Sequence, residues 1–144
     1  MRKFIKTDRG LHQYQGGRLI AALAKDVGKS YAEWVKKLAT DPATVVRGSA
    51  GFAADWMAIS RDALLRASGE EVTPPGRPLD RRFGAEAWSK HVPFDVLRRG
   101  FEAYARAALR IIEETDGVDP EDRRKVRFYT AQFLDMIAPA NYPL

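Results

Sequence analysis

The segment Val27-Gly28-Lys29-Ser30 ends like a phosphate-binding loop. Such a loop needs a glycine five positions before its Gly-Lys-Ser. Leu23 stands there instead, and the surrounding pattern is helical, so its backbone N–H groups are already engaged. The two histidines, His12 and His91, lie far apart with no carboxylate pair at metal-ligand spacing. Ser89, His91 and Asp95 are three hydrolase residue types, but neighbours on one short turn do not converge into a triad. None of Ser30, Ser49, Ser60, Ser68 or Ser89 sits in a glycine-flanked elbow. The acid pairs Glu70-Glu71 and Glu113-Glu114 read as solvated loop and helix-end charges. The residues therefore offer no active site, no metal site and no cofactor.

Charge points instead to contact. Residues 1–47 hold ten basic against four acidic residues, a net +6, while the other 97 hold fourteen against fifteen, a net −1. A basic first third favours an anionic partner such as a lipid surface, an acidic protein or nucleic acid; a solubilising helix face is the plainer alternative. Within it, Lys25, Lys29, Lys36 and Lys37 share a polar face, and Tyr31 and Trp34 edge the apolar one. A basic amphipathic helix with aromatics can lie in an interface. Packing of its apolar stripe against the next helix is the competing reading. The second basic cluster, Arg123-Arg124-Lys125-Arg127, flanks a core stripe. Structural pairing with acids on neighbouring elements is the stronger reading there, because the surrounding chain is net acidic. A helical nucleic-acid binder is the alternative function.

Four long helices must position these groups. Apolar residues at 19, 20, 23, 27, 31, 34, 35 and 38 predict a first helix. Asp41-Pro42 starts a second, with Val45, Ser49, Phe52, Trp56, Ile59, Ala63 and Ala67 facing the core and Gly69 as the stop. The short Thr40–Pro42 connection predicts an antiparallel hairpin. Pro93 opens a third helix, facing inward with Phe94, Leu97, Phe101, Tyr104, Ala108, Ile111 and Ile112, and Asp116-Gly117 ends it. Asp119-Pro120 starts a fourth, whose predicted buried face is Val126, Tyr129, Phe133, Met136 and Ile137. A turn or two of helix is expected around Trp88. No stretch alternates as a strand does, so the fold class is all-α: two helical hairpins joined by a Pro-rich linker. The expected divisions are a flexible basic tail over 1–16, a hairpin over 17–69, the linker over 70–80 and a second helical segment over 81–144. With 144 residues, 45% of them hydrophobic, one domain with a real core is the natural size. No apolar run approaches the length of a membrane span. No cysteine is present, hence no disulfide and no thiolate ligand.

The last third carries a resemblance. Asp80-Arg81-Arg82-Phe83, Trp88, Pro93-Phe94, Tyr104, the run Arg124 to Gln132 and the exit Pro139-Ala140-Asn141-Tyr142 occur in an order similar to the N-terminal region of polyhydroxyalkanoate synthases. Val92, Arg99 and Tyr142 depart from the asparagine, glutamine and phenylalanine common there. The resemblance implies a parent acyltransferase that polymerises 3-hydroxyacyl-CoA through a cysteine on an α/β-hydrolase domain. This chain has no cysteine, so it is expected to be a non-catalytic front piece, continued past Leu144 in a longer protein. The implied role is dimer stabilisation, attachment to polyester granules in the cytoplasm and binding of granule-associated proteins. Lys25, Lys29, Tyr31, Trp34, Lys36 and Lys37 are the expected granule or partner surface. Arg81, Arg82, Phe83, Trp88, Arg124, Arg127 and Phe128 are the expected contacts to the catalytic domain or a second subunit.

Overall fold

The structure is a computed structural model that describes residues 8–72, 83 and 90–142. Four α-helices follow one another: α1 (Asp8–Ala39), α2 (Pro42–Ala67), α3 (Val92–Glu114) and α4 (Pro120–Ile137), then a 3-10 turn over Pro139–Asn141. Among the described residues there is no strand, and the fold is all-α. The helix boundaries follow the expected chemistry. Asp41 caps α2 and Asp119 caps α4 through their side chains, each followed by proline at the first helical position. Gly69 and Gly117 adopt φ +89° and +76°, left-handed conformations that let the chain leave α2 and turn from α3 into α4.

Two expectations change. The helix α1 begins at Asp8, so residues 8–16 are helix and not tail. No proline interrupts the chain before residue 42, and a glycine costs only about 1 kcal/mol in a helix. Residues 8–16 carry no apolar period, and of the residues that follow, Leu19, Ile20 and Leu23 are exposed. The α1–α2 pair meets only near its turn and does not pack along its length. The helices pair crosswise instead, α2 with α3 and α1 with α4, while α3 and α4 stay neighbours. Residues 1–7, most of the 70–80 linker and the turn around Trp88 lie outside the described residues.

The two turns are tied together by Asp41. Its carboxylate accepts from the Thr44 N–H and hydroxyl and, across the bundle, from the Asp116 N–H at 3.1 Å. The Thr44 hydroxyl and these N–H donors hold the Asp41 carboxyl below the ordinary value of 3.8. A depressed carboxylate contributes stability that is fully present above that ordinary value and is lost as pH falls through its lower folded value. Asp41→Asn is therefore expected to lower Tm at pH 7 and to flatten the acid-side fall of Tm below about pH 4, read by circular dichroism melts across pH. An unchanged acid limb would remove Asp41 from this role.

Candidate interaction site

The packing between α2 and α3 is charged. Asp95, 4% exposed, accepts from Arg66 of α2 at 2.7 Å and from Arg98 of its own helix at 2.8 Å. Arg99 reaches Asp62 of α2 at 2.9 Å and stands 3.6 Å from Asp95. Glu102 stands 3.4 Å from Arg98, which is 3% exposed. Three arginines thus balance three carboxylates in a dry seam, the condition under which buried charge is tolerated. Each carboxylate is held by a guanidinium, so the cluster clamps two helices.

Ile59, Ile112 and Val126 are buried as expected, but the buried faces are offset from the apolar stripes elsewhere. Along α2 the inward residues are Thr44, Gly48, Phe52, Asp55, Ile59, Asp62 and Arg66, one position off the apolar stripe for much of its length. Trp56 and Leu64 are left exposed. In α3, Asp95, Arg98, Ala103 and Ile112 are buried while Leu97 and Tyr104 are exposed. In α4, Val126 and Leu134 are buried, and the expected core residues Phe133, Met136 and Ile137 face outward. Phe128, Phe133 and Met136 are 55%, 55% and 61% exposed. Charge turned in and aromatics turned out is the informative inversion of a soluble surface.

A trough follows α3. Its first part, about 480 Å³, has Trp34, Gly48, Ser49, Phe52, Ala108 and Ile111 among its walls. Its second, about 640 Å³, lies among Trp56, Val96, Leu97, Gly100, Phe101 and Pro139. Tyr104 borders both, its ring edge-on to Phe52. No ionised side chain lines either part. Two glycines set the close approach of α2 and α3. A Cβ on Gly48 would stand 2.5 Å from Cγ1 of Ile111, and one on Gly100 2.8 Å from the Trp56 ring.

The expected site residues divide. Lys25, Lys29, Lys36 and Lys37 are exposed on α1, as anticipated. Tyr31 and Trp34 are not free surface. The Tyr31 hydroxyl lies 2.6 Å from that of Thr130, and the Trp34 indole donates to Thr115 at 3.1 Å, because these residues form the joint of α1 with the rest of the bundle. Phe83, expected at a partner contact, is 1% exposed with its ring against Phe101; the chain itself already covers it. Arg81, Arg82 and Trp88 lie outside the described residues. The basic cluster of α4 pairs as its spacing suggests. Arg123 donates to the carbonyls of Ile112, Glu113 and Thr115, capping the end of α3. Lys125 meets Asp26 at 2.8 Å, and that bond together with Glu121 raises its pKa. Arg127 pairs with Glu113, and Arg124 is exposed. Phe128 is exposed and remains available. The ion seam and the trough are what sequence reasoning missed. Arg98 and Glu102, spaced i, i+4 with Asp95 three residues before Arg98, were the available signal.

Among the described residues no three His, Cys, Asp or Glu side chains cluster as metal ligands, and no helix is long and apolar enough to cross a membrane.

Residues 79–144, which include Phe83, α3, α4 and the 3-10 turn, match the family described as the Poly-beta-hydroxybutyrate polymerase (PhaC) N-terminus. Over these residues the chain is similar to a polyhydroxyalkanoate synthase N-terminal region. Curated relatives extend the likeness toward α1. The Poly(3-hydroxyalkanoate) polymerase subunit PhaC of Rhizobium meliloti is 24% identical over 125 residues, 85% of this chain and 20% of the relative. The subunit of the same name from Rhizobium etli is 33% identical over 75 residues, 51% of this chain and 12% of the relative. That of Cupriavidus necator is 31% identical over 81 residues, 56% of this chain and 14% of the relative. The chain thus spans a fifth or less of these relatives' length. No solved structure matches it. The outward aromatics of α4 fall within the matched synthase segment.

Proposed function

We propose that this synthase N-terminal region makes contacts and leaves the chemistry to other parts of a polyhydroxyalkanoate synthase. In this reading it seats against the catalytic portion, stabilises a dimer and holds the enzyme at the surface of a cytoplasmic polyester granule and its coat proteins. The observation that supports it is the apolar face of α4, with Phe128, Phe133 and Met136 outward in a chain that buries Asp95 and Arg98. An exposed aromatic face of this kind marks a docking surface. Phe128 and Arg124 then belong to the contact with the catalytic portion, and Arg127 borders it. The chain supplies no cysteine for an acyl-enzyme. Incubated alone with 3-hydroxyacyl-CoA, it is expected to release no CoA and form no polymer; either product would contradict the reading.

The lysines of α1 are the proposed granule-facing group, since Lys25, Lys29, Lys36 and Lys37 all reach solvent. Granule coats of anionic lipid or acidic protein would attract them over about 8–10 Å at moderate salt. Reversing all four to glutamate is expected to cut cosedimentation with isolated granules at least ~10-fold at low salt, on roughly 1 kcal/mol per surface charge, with helicity unchanged. Retention independent of both charge and salt would assign granule binding to the apolar faces alone.

A further inference from the structure

Two apolar features stand open among the described residues, and they are complementary. One is convex. The first half of α1 leaves the bundle before Asp26 meets Lys125, and along it Leu19, Ile20 and Leu23 repeat on one side at helical spacing. Leu19 and Ile20 are 71% and 70% exposed. Gly16, Gly17, Ala21, Ala22 and Ala24 are small neighbours of that stripe. The other feature is concave, the trough along α3 between Val92 and Ile112. Ser49, Ala107 and Ala108 are among its lining residues, with side chains small enough to admit another helix.

The dimensions agree. About 18 residues of α1 precede Asp26, a length of roughly 27 Å, and the trough follows about 20 residues of α3, roughly 30 Å. This half of α1 cannot enter its own trough. It is continuous with the stretch from Asp26 to Trp34 that is bonded to α4 and to Thr115, and it points away from there. A knob and a hole on one chain that cannot meet each other satisfy one another across a two-fold axis.

We propose that the N-terminal half of α1 lies in the α3 trough of a second copy, and reciprocally, so that two arms lock one dimer. This rests on the reading of the chain as a self-associating module and names the surfaces that associate. The contact is a helix laid in an apolar groove, read by anchors at i, i+1 and i+4. Two reciprocal arms remove on the order of 2,000 Å² from water, the size class of a stable homodimer. The uncharged trough fits the uncharged stripe, while Lys25 and Lys29 stay on the solvent side.

The absence of cysteine makes the test specific. The full chain is prepared as Leu23→Cys and, separately, as Ser49→Cys, and the two are mixed and oxidised mildly. A disulfide-linked heterodimer joining the two variants is expected, and light scattering of the unmodified chain is expected to report a dimer. The arm variant Leu19→Glu/Ile20→Glu/Leu23→Glu changes only exposed positions. It is expected to keep its helical circular dichroism and to weaken dimerisation at least ~100-fold, as three buried apolar anchors require. A second variant, Ala108→Trp, blocks the trough from the other side and is expected to weaken dimerisation similarly. Dimers that persist undiminished in the arm variant, with no mixed disulfide, would overturn the arm-in-trough contact and leave self-association by another face. A chain that stays monomeric at high micromolar concentration would overturn both this contact and the dimerising role itself.

Discussion

Asp95→Ala is expected to cost about 3–5 kcal/mol of folding stability, the penalty for stranding a buried charge. The carboxylate receives Arg66 and Arg98 at 2.7 and 2.8 Å, and Arg98 has almost no access to water. Without Asp95, Arg98 keeps only Glu102 at 3.4 Å, and its Nε already has no partner. At this chain length the loss corresponds to a fall in Tm of roughly 10–15 °C. Adding Arg98→Met removes the stranded charge and is expected to recover at least half of the loss, because an apolar pair often replaces a buried ion pair at no cost. Urea titrations of the single and double variants check both statements. A single-variant loss under about 1 kcal/mol would mean that the seam is solvated and does not clamp α2 to α3.

The next largest effect belongs to Phe83. Its ring is 1% exposed and packs against Phe101 of α3. Phe83→Ala removes a buried aromatic and leaves a cavity, a change that costs about 3–5 kcal/mol. The reading of Phe83 as a contact for another protein predicts something else: unchanged stability of the isolated chain and weakened association. Denaturation of the isolated chain separates the two. A large loss of stability places the ring in the core, and a Tm within a degree or two of the parent places it at an interface.

Helix existence and type were legible throughout, because Asp41-Pro42 and Asp119-Pro120 are caps whose geometry any neighbourhood preserves. Gly69 and Gly117 marked stops for the same local reason. Which side of each helix turns inward was not legible. An apolar stripe normally identifies the core face, yet here Asp62, Arg66, Asp95 and Arg98 occupy the α2–α3 seam. Charge balance across two helices is a tertiary property, and no single-helix pattern contains it. The same limit hid the start of α1. Periodicity reports burial, and residues 8–16 carry no apolar period. The pairing of Arg123, Lys125 and Arg127 was legible because their spacing beside a core stripe offers each head an acid or a carbonyl. Tyr31 and Trp34 were misplaced because an aromatic at a helix edge serves a joint as well as a surface, and only Thr130 and Thr115 decide between them.

The outward face of α4 is open to direct observation through hydroxyl-radical labelling of Phe128, Phe133 and Met136, first on this chain at sub-micromolar concentration and then on a complete synthase that contains it. If these side chains exist to be covered, they label readily in the isolated chain and at least ~5-fold less in the assembled enzyme, as residues at the buried centre of a contact do. Equal labelling in both states would show that the aromatics stay in water when the enzyme is whole, and the account of this region as a docking module would fail.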